Sequence, residues 1–217
     1  MLSLLIVLLA LILLCGLLYY EKRENQTGRL LTKTPLSALF VIAALIQPHP
    51  QASFFYFMLI GLICCMAGDI CLVFPQKVLF LAGLVAFLVG HIWYTVAFIH
   101  TAAIHQLAWI GFLVVLLASG WIYFWLKPHL GSLKRPVLLY IIFISLMVGG
   151  AWILLGDGGL SLSGRLMVFS GAVLFYFSDL FVARQRFVQK AYRNRLFGLP
   201  IYYAGQFLLA FSIGILE

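Results

Sequence analysis

The chain has 217 residues, of which 65% are hydrophobic and only 9% charged, with a formal net charge of +8 and a mean hydropathy of +1.12. These proportions lie far outside the globular average and exclude a water-soluble domain, so the solvent to reason with is a lipid bilayer. At roughly 20 residues per crossing of ~30 Å of hydrocarbon, the length holds about eight helical spans and little else.

Apolar stretches between charged or turn-forming clusters predict spans at 2–20, 35–47, 52–74, 78–99, 106–126, 137–155, 165–183 and 196–216. The expected fold class is an all-α integral membrane protein, a bundle of about eight transmembrane helices in a single domain over residues 1–217. Residues 1–20 lack a basic start and a small-x-small cleavage site, so they read as a retained first helix. Pro35, Pro48, Pro75, Pro128 and Pro136 fall in or beside the connections, where helices stop or restart. The connections are short, which predicts antiparallel packing of sequential neighbours.

Basic residues orient the bundle. Lys22, Arg23, Arg29 and Lys33 fall between spans 1 and 2, and Lys77 between 3 and 4. Lys127, Lys134 and Arg135 fall between 5 and 6, and Arg184, Arg186, Lys190, Arg193 and Arg195 between 7 and 8. All Lys and Arg except Arg165 therefore sit in odd-numbered connections, which the positive-inside rule places in the cytoplasm, with both termini on the other side. Topology and contact with anionic headgroups account for the net charge without nucleic acid, and "ARQRFVQKAYRNR" reads as a membrane-surface segment.

Local motifs exclude several chemistries. Cys15, Cys64, Cys65 and Cys71 all fall within spans and read as reduced packing residues. The histidines, His49, His91, His100, His105 and His129, form no HExxH and no pair one turn apart, and no nucleophile elbow or phosphate-binding loop occurs. The sequon "NQT" at Asn25 lies in a connection expected to be cytoplasmic, so it reads as chance.

The acidic residues carry the information. Four of six lie in connections or at the C-terminus: Glu21, Glu24, Asp157 and Glu217. Asp69 and Asp179 lie inside spans, where an ionisable group costs ~3 kcal/mol or more to insert and normally faces the bundle interior or a water-filled cavity. Their contexts match: "GLICCMAGD" ends at Asp69 and "GAVLFYFSD" at Asp179, each a glycine, seven mostly apolar residues and an aspartate preceded by a small residue. Asp69 is eight residues from Lys77 and Asp179 five from Arg184, so at ~1.5 Å per residue both lie about 8 to 12 Å from the basic face. The four-helix offset hints at a 4+4 internal repeat.

"GDICLVF", "FLAGLVAFLVGHIWY", "GAVLFYFSDLFVARQRF" and "YYAGQFLL", in that order and spacing over about residues 28 to 211, resemble the YhhN-like lysoplasmalogenase family of multispanning membrane proteins. One departure is "LTKTP", in which Lys33 does not stand directly before the proline. The resemblance implies hydrolysis of the vinyl ether of lysoplasmalogens to a fatty aldehyde and glycerophosphoethanolamine or glycerophosphocholine. It implies no metal or other cofactor, Asp69 and Asp179 as the catalytic pair, and residence in a bacterial cytoplasmic membrane. The expected partners are a lysophospholipid and the bilayer, with no nucleic acid.

Two buried carboxyls suit that reaction. Protonation of the outer alkene carbon makes an oxocarbenium ion, water attacks it, and the hemiacetal collapses; desolvation keeps a carboxyl protonated near neutrality, and a second carboxylate can stabilise the cation and take the water's proton. The aromatic neighbours in "FYFSD" favour Asp179 as the acid and Asp69 as the base, although the sequence does not decide between them. Tyr203 and Gln206 reach a similar depth, where they would orient water or the glycerol backbone, or simply pack. Lys33, at the mouth of span 2, is either a phosphate ligand or a plain positive-inside lysine. Tyr94 and His91 belong to the family-like "GHIWY"; His91, fourteen residues from Lys77, reckons to ~21 Å from the basic face, about 10 Å deeper than the aspartates. Ser178 points about 100° away from Asp179 and reads as packing.

Two rival classes also fit parts of the pattern. A proton-coupled transporter places acids inside helices, but toward the midplane and on broken helices. A metal-dependent amide hydrolase of the ceramidase type needs several converging histidines, and only His91 falls clearly within a span.

Overall fold

Eight α-helices account for nearly all of the described residues, 2–103 and 108–217, in this computed structural model. In chain order they are α1 (Leu2–Lys22), α2 (Gln26–Leu45), α3 (Ala52–Cys71), α4 (Lys77–Thr101), α5 (Ala108–Leu126), α6 (Lys134–Leu155), α7 (Leu162–Ala183) and α8 (Tyr192–Ser212). The expected start of span 5 at residue 106, and His105, lie outside the described residues. Helices α1 to α7 are long and apolar enough to cross a membrane. The exception is α8, 21 residues long, whose Arg193, Asn194, Arg195, Tyr202, Tyr203 and Gln206 dilute its apolar character.

The second span is longer than its apolar run suggested. It starts at Gln26 because Asn25, in extended backbone, accepts a hydrogen bond from the Gly28 N–H at 2.9 Å and caps the helix. Pro35 lies inside α2, not at its boundary. The ring removes one backbone donor, and neighbouring helices hold the turns on either side of it. Asn25 of the sequon thus has a structural task. The seventh helix also continues past its expected end: Arg184–Val188 wind on as a π-helical segment, closed by the Gln189 N–H donating to the Arg184 carbonyl at 2.8 Å.

Lipid decides which faces are apolar. In α1 only Ile6, Ala10 and Leu17 are buried, and Leu4, Ile12, Trp109 and Trp121 on α1 and α5 point outward, as hydrocarbon allows. The interior is filled by Phe40, Phe54, Met58, Leu62, Phe98 and Phe175.

Helix pairing follows a 4+4 pattern. α3 packs on α4 as α7 does on α8, α1 on α2 as α5 on α6, and α2 on α3 as α6 on α7; between the halves, α4 meets α6 as α8 meets α2. Adding four to each helix number reproduces these contacts, which is the signature of an internal repeat of like-oriented halves. Glycines make the equivalent crossings. A Cβ on Gly90 would meet the Gly61 carbonyl oxygen at 3.1 Å, and one on Gly205 would meet that of Gly171 at 2.9 Å. Gly61 and Gly171 are the glycines that precede Asp69 and Asp179 in the matching motifs. The shared spacing therefore brings the backbones together and places an aspartate about two turns further along, roughly 80° round the helix and toward other neighbours.

Candidate active site

Asp69 lies in the last turn of α3 with its side chain only 2% exposed. Its Oδ1 is 2.9 Å from the Lys33 ammonium. Oδ2 accepts two hydroxyls, Ser37 at 2.6 Å and Tyr202 at 2.7 Å. Lys33 and Ser37 are one turn apart on α2 and so reach the same carboxylate. The Tyr203 hydroxyl is 3.1 Å from Ser37 Oγ; since Ser37 donates to Asp69, it accepts from Tyr203. All donors converge on Asp69 as an acceptor-only carboxylate.

Asp179 has a different setting. Its side chain is 18% exposed, and Oδ2 accepts the Tyr140 hydroxyl of α6 at 2.5 Å. Behind Tyr140 sits the fully buried His91, with Nε2 3.0 Å from the tyrosine oxygen and 3.7 Å from Asp179 Oδ2. Its Nδ1 faces Met147 Sδ at 3.3 Å. With the tyrosine proton on the carboxylate side, Tyr140 can only accept from the ring, which assigns the proton of a neutral His91 to Nε2. Each aspartate thus takes partners from both halves of the repeat: Asp69 from α2 and α8, Asp179 from α6 and α4.

Both carboxylates line one cavity of about 90 Å³. Leu84, Phe87, Ile122, Leu126, Ile141, Ile144 and Leu180 give it an apolar wall, interrupted by Lys33, Asp69, Tyr140, Asp179, Asn194, Arg195 and Tyr202. Phe87, Phe175 and Tyr202 meet edge to face at centroid separations of 5.3 to 6.0 Å, and this cluster fixes the Tyr202 hydroxyl on Asp69. An apolar cavity lined by two differently partnered carboxyls can take a few carbons of a chain beside groups able to exchange protons.

The predicted residues separate into three groups. Asp69, Asp179 and Lys33 line the cavity. Tyr203 and His91 stand one residue back, behind Ser37 and Tyr140. Tyr94 and Gln206 face each other instead: the Tyr94 hydroxyl donates to Gln206 Oε1 at 2.8 Å and ties α4 to α8, with the Tyr94 ring over Gly61. Ser178 turns back to donate to the Phe175 carbonyl.

Two depth estimates change. Residue counting puts His91 about 10 Å deeper than Asp179, yet their side chains are 3.7 Å apart. The π segment accounts for part of the difference: the helix does not end at Arg184 but continues to Val188, so Asp179 lies nine residues, ~14 Å, from the helix end. Lys33 is not at a helix mouth either. The earlier start of α2 carries it into the third turn, where it is 5% exposed and held by Asp69.

Sequence reasoning missed Ser37, Tyr140, Tyr202 and Arg195. Tyr140 is a lone hydroxyl in the apolar run "VLLYIIF", a weak signal that a hydrogen-bonded partner must exist. Among the described residues no group of three or more His, Cys, Asp or Glu side chains comes together, and the four cysteines are free.

The YhhN family matches residues 28–213. Over 184 residues the chain is 30% identical to the Bos taurus protein named lysoplasmalogenase TMEM86A and 31% identical to its Homo sapiens counterpart, in each case covering 80% of this chain and 72% of the relative. It is 37% identical over 153 residues to lysoplasmalogenase TMEM86B of Mus musculus, covering 70% of this chain and 61% of that protein. No solved structure matches it.

Proposed function

The chain belongs to the YhhN family, and from that membership we propose that it is a multi-pass membrane lysoplasmalogenase using Asp179 as the acid and Asp69 as the base. The observation that carries the division of roles is the contrast between two carboxylates on one cavity wall. Asp69 is ion-paired to Lys33 and surrounded by donors, whereas Asp179 is partly exposed, lines the cavity and has Oδ2 occupied by Tyr140.

The steps balance as follows. The Asp179 carboxyl transfers its proton to the outer alkene carbon, and the ether oxygen's lone pair stabilises the cation formed on the inner carbon. The Asp69 carboxylate stabilises that oxocarbenium ion and takes a proton from the attacking water, much as paired carboxyls divide these roles in glycosidases. The hemiacetal then releases fatty aldehyde and the glycerophospho alcohol, and proton exchange with water restores the pair. Tyr140 and His91 hold the Asp179 carboxyl in place; Ser37, Tyr202 and Tyr203 hold Asp69. The apolar wall takes the chain of the lysophospholipid. By the charge asymmetry the basic connections face the cytoplasm and both termini face away from it.

The transporter reading shares the internal repeat, but α3 and α7 are unbroken at both aspartates, which favours a site for chemistry over a gate built on half-helices. Purified protein in detergent, given a lysoplasmalogen in D₂O with chelator, is expected to release aldehyde carrying one deuterium on the carbon next to the carbonyl. No aldehyde under any condition, or full activity in folded Asp69→Asn and Asp179→Asn variants, refutes the assignment.

A further inference from the structure

A second, larger and more polar cavity of about 530 Å³ adjoins the first, and the two share Leu72, Phe80, Val182 and Arg195 in their walls. It lies among the connections α1–α2, α3–α4 and α7–α8, on the basic face. Arg29 and Arg195 stand on its wall with one carboxylate between them: Arg29 Nη1 and Arg195 Nε are each 3.7 Å from the same Glu21 Oε2. That distance is too long for a hydrogen bond. The Nε of each arginine is buried without an acceptor, while the side chains are 21% and 22% exposed, so two half-buried guanidinium groups share one incompletely engaged acid. Three neighbouring cations are committed elsewhere: Lys190 to Glu24 at 2.6 Å, Arg186 over the Phe80 ring at 4.3 Å, and Lys33 to Asp69 at 2.9 Å; Lys22 also lines this cavity.

We infer that Arg29 and Arg195 form the subsite for the phosphodiester of the substrate's headgroup, an assignment that rests on the lysophospholipid reading above. A phosphodiester brings one negative charge and two unshared oxygens, which the planar fork of arginine matches, and it would supply the charge that one distant carboxylate leaves uncompensated. Only a glycerol backbone separates the vinyl ether from the phosphate, and Arg195 stands on the boundary between the two cavities. The chain then lies in the apolar cavity, the ether at the aspartates and the phosphate in the vestibule. Lys33, for which the sequence left open a phosphate ligand or a plain positive-inside lysine, pairs with Asp69 instead.

Binding of two ligands that are not turned over separates this subsite from the chemistry. A 1-alkyl-glycerophosphocholine and the matching 1-alkylglycerol are titrated calorimetrically into purified protein in nonionic detergent. The wild-type protein is expected to bind the phosphorylated ligand about 10- to 100-fold more tightly, the gain of charge-assisted hydrogen bonds to a desolvated anion. That ratio should fall toward one in Arg195→Gln and in Arg29→Gln, and only partly in Arg195→Lys. A ratio that survives both glutamine substitutions, or a wild-type ratio of one, overturns the assignment; should Arg195→Gln fail to fold, Arg29→Gln decides. Inorganic phosphate is expected to compete poorly, because it lacks the chain, and competition as strong as the alkyl ligand's would make this a free-anion site and sink the proposal. A headgroup preference in a protein that releases no aldehyde would instead refute the hydrolase and leave the subsite standing.

Discussion

Lys33→Met isolates the ion pair around which the base is built. Lys33 and Asp69 are 2.9 Å apart with side chains 6% and 2% exposed, so they belong to the buried regime and not to that of surface pairs, which contribute little. At an effective dielectric of ~20 their attraction is about 6 kcal/mol, most of it offset by the cost of desolvating both ions. Methionine keeps the apolar stem but leaves Asp69 facing only the Ser37 and Tyr202 hydroxyls. The expected loss is about 3 to 5 kcal/mol, the range for stranding one buried charge. Asp69→Asn strands the ammonium instead, whereas the double variant removes both ions and recovers stability, with a coupling energy of at least ~2 kcal/mol. Unfolding followed by circular dichroism in mixed micelles measures all four corners of the cycle. Activity gives the second readout: the double variant, although restabilised, releases no aldehyde because the base is gone. Additive effects, with coupling below about 0.5 kcal/mol, would refute the reasoning, and so would a double variant with wild-type turnover.

Tyr140→Phe removes the hydroxyl that bridges His91 and Asp179, and a loss of aldehyde release of about 10- to 100-fold is expected in steady-state assays, with the fold kept. Gly205→Ala and Gly171→Ala push a Cβ to 2.9 Å from the opposing carbonyl oxygen, so each should destabilise by about 1 to 3 kcal/mol in the same unfolding assay. Gly120→Ala, on α5, meets nothing within 4 Å and should stabilise by up to about 1 kcal/mol. Glu24, outside the spans, has its carboxyl held below the ordinary glutamate value by the hydrogen bond and charge of Lys190. A lowered folded pKa contributes stability above the unfolded value and loses it as pH falls through the folded one, so any effect of Glu24→Gln on melting should be flat from about pH 6 to 9 and shrink in acid.

Much of the fold is legible because hydropathy is a local property. The runs that form α3, α4, α5 and α6 are apolar enough to be seen in isolation, and the charge partition follows from counting. Pro35, a strong boundary signal, marks the start of the second span in sequence, yet the Asn25 cap and packing on neighbouring helices outweigh one missing donor. Charge marks the interface, so sequence ends α7 at its arginines, whereas a π turn carries the helix on to Val188. Both misreadings concern helix ends, and both moved site residues to the wrong depth.

Sequence by itself determined that this is a membrane bundle, that two aspartates sit where an acid is expensive, and that each follows a glycine at the same spacing. These follow from what a residue costs in its own run, which needs no neighbour to evaluate. Only the tertiary structure decided who faces whom: Lys33, Ser37 and Tyr202 on Asp69, Tyr140 and His91 on Asp179, and Tyr94 on Gln206. Those pairings depend on how helices cross across the repeat, with partners more than thirty residues apart, and no periodicity within one helix encodes that. The same crossings make two similar motifs chemically unlike, because one aspartate meets an ammonium and the other a tyrosine.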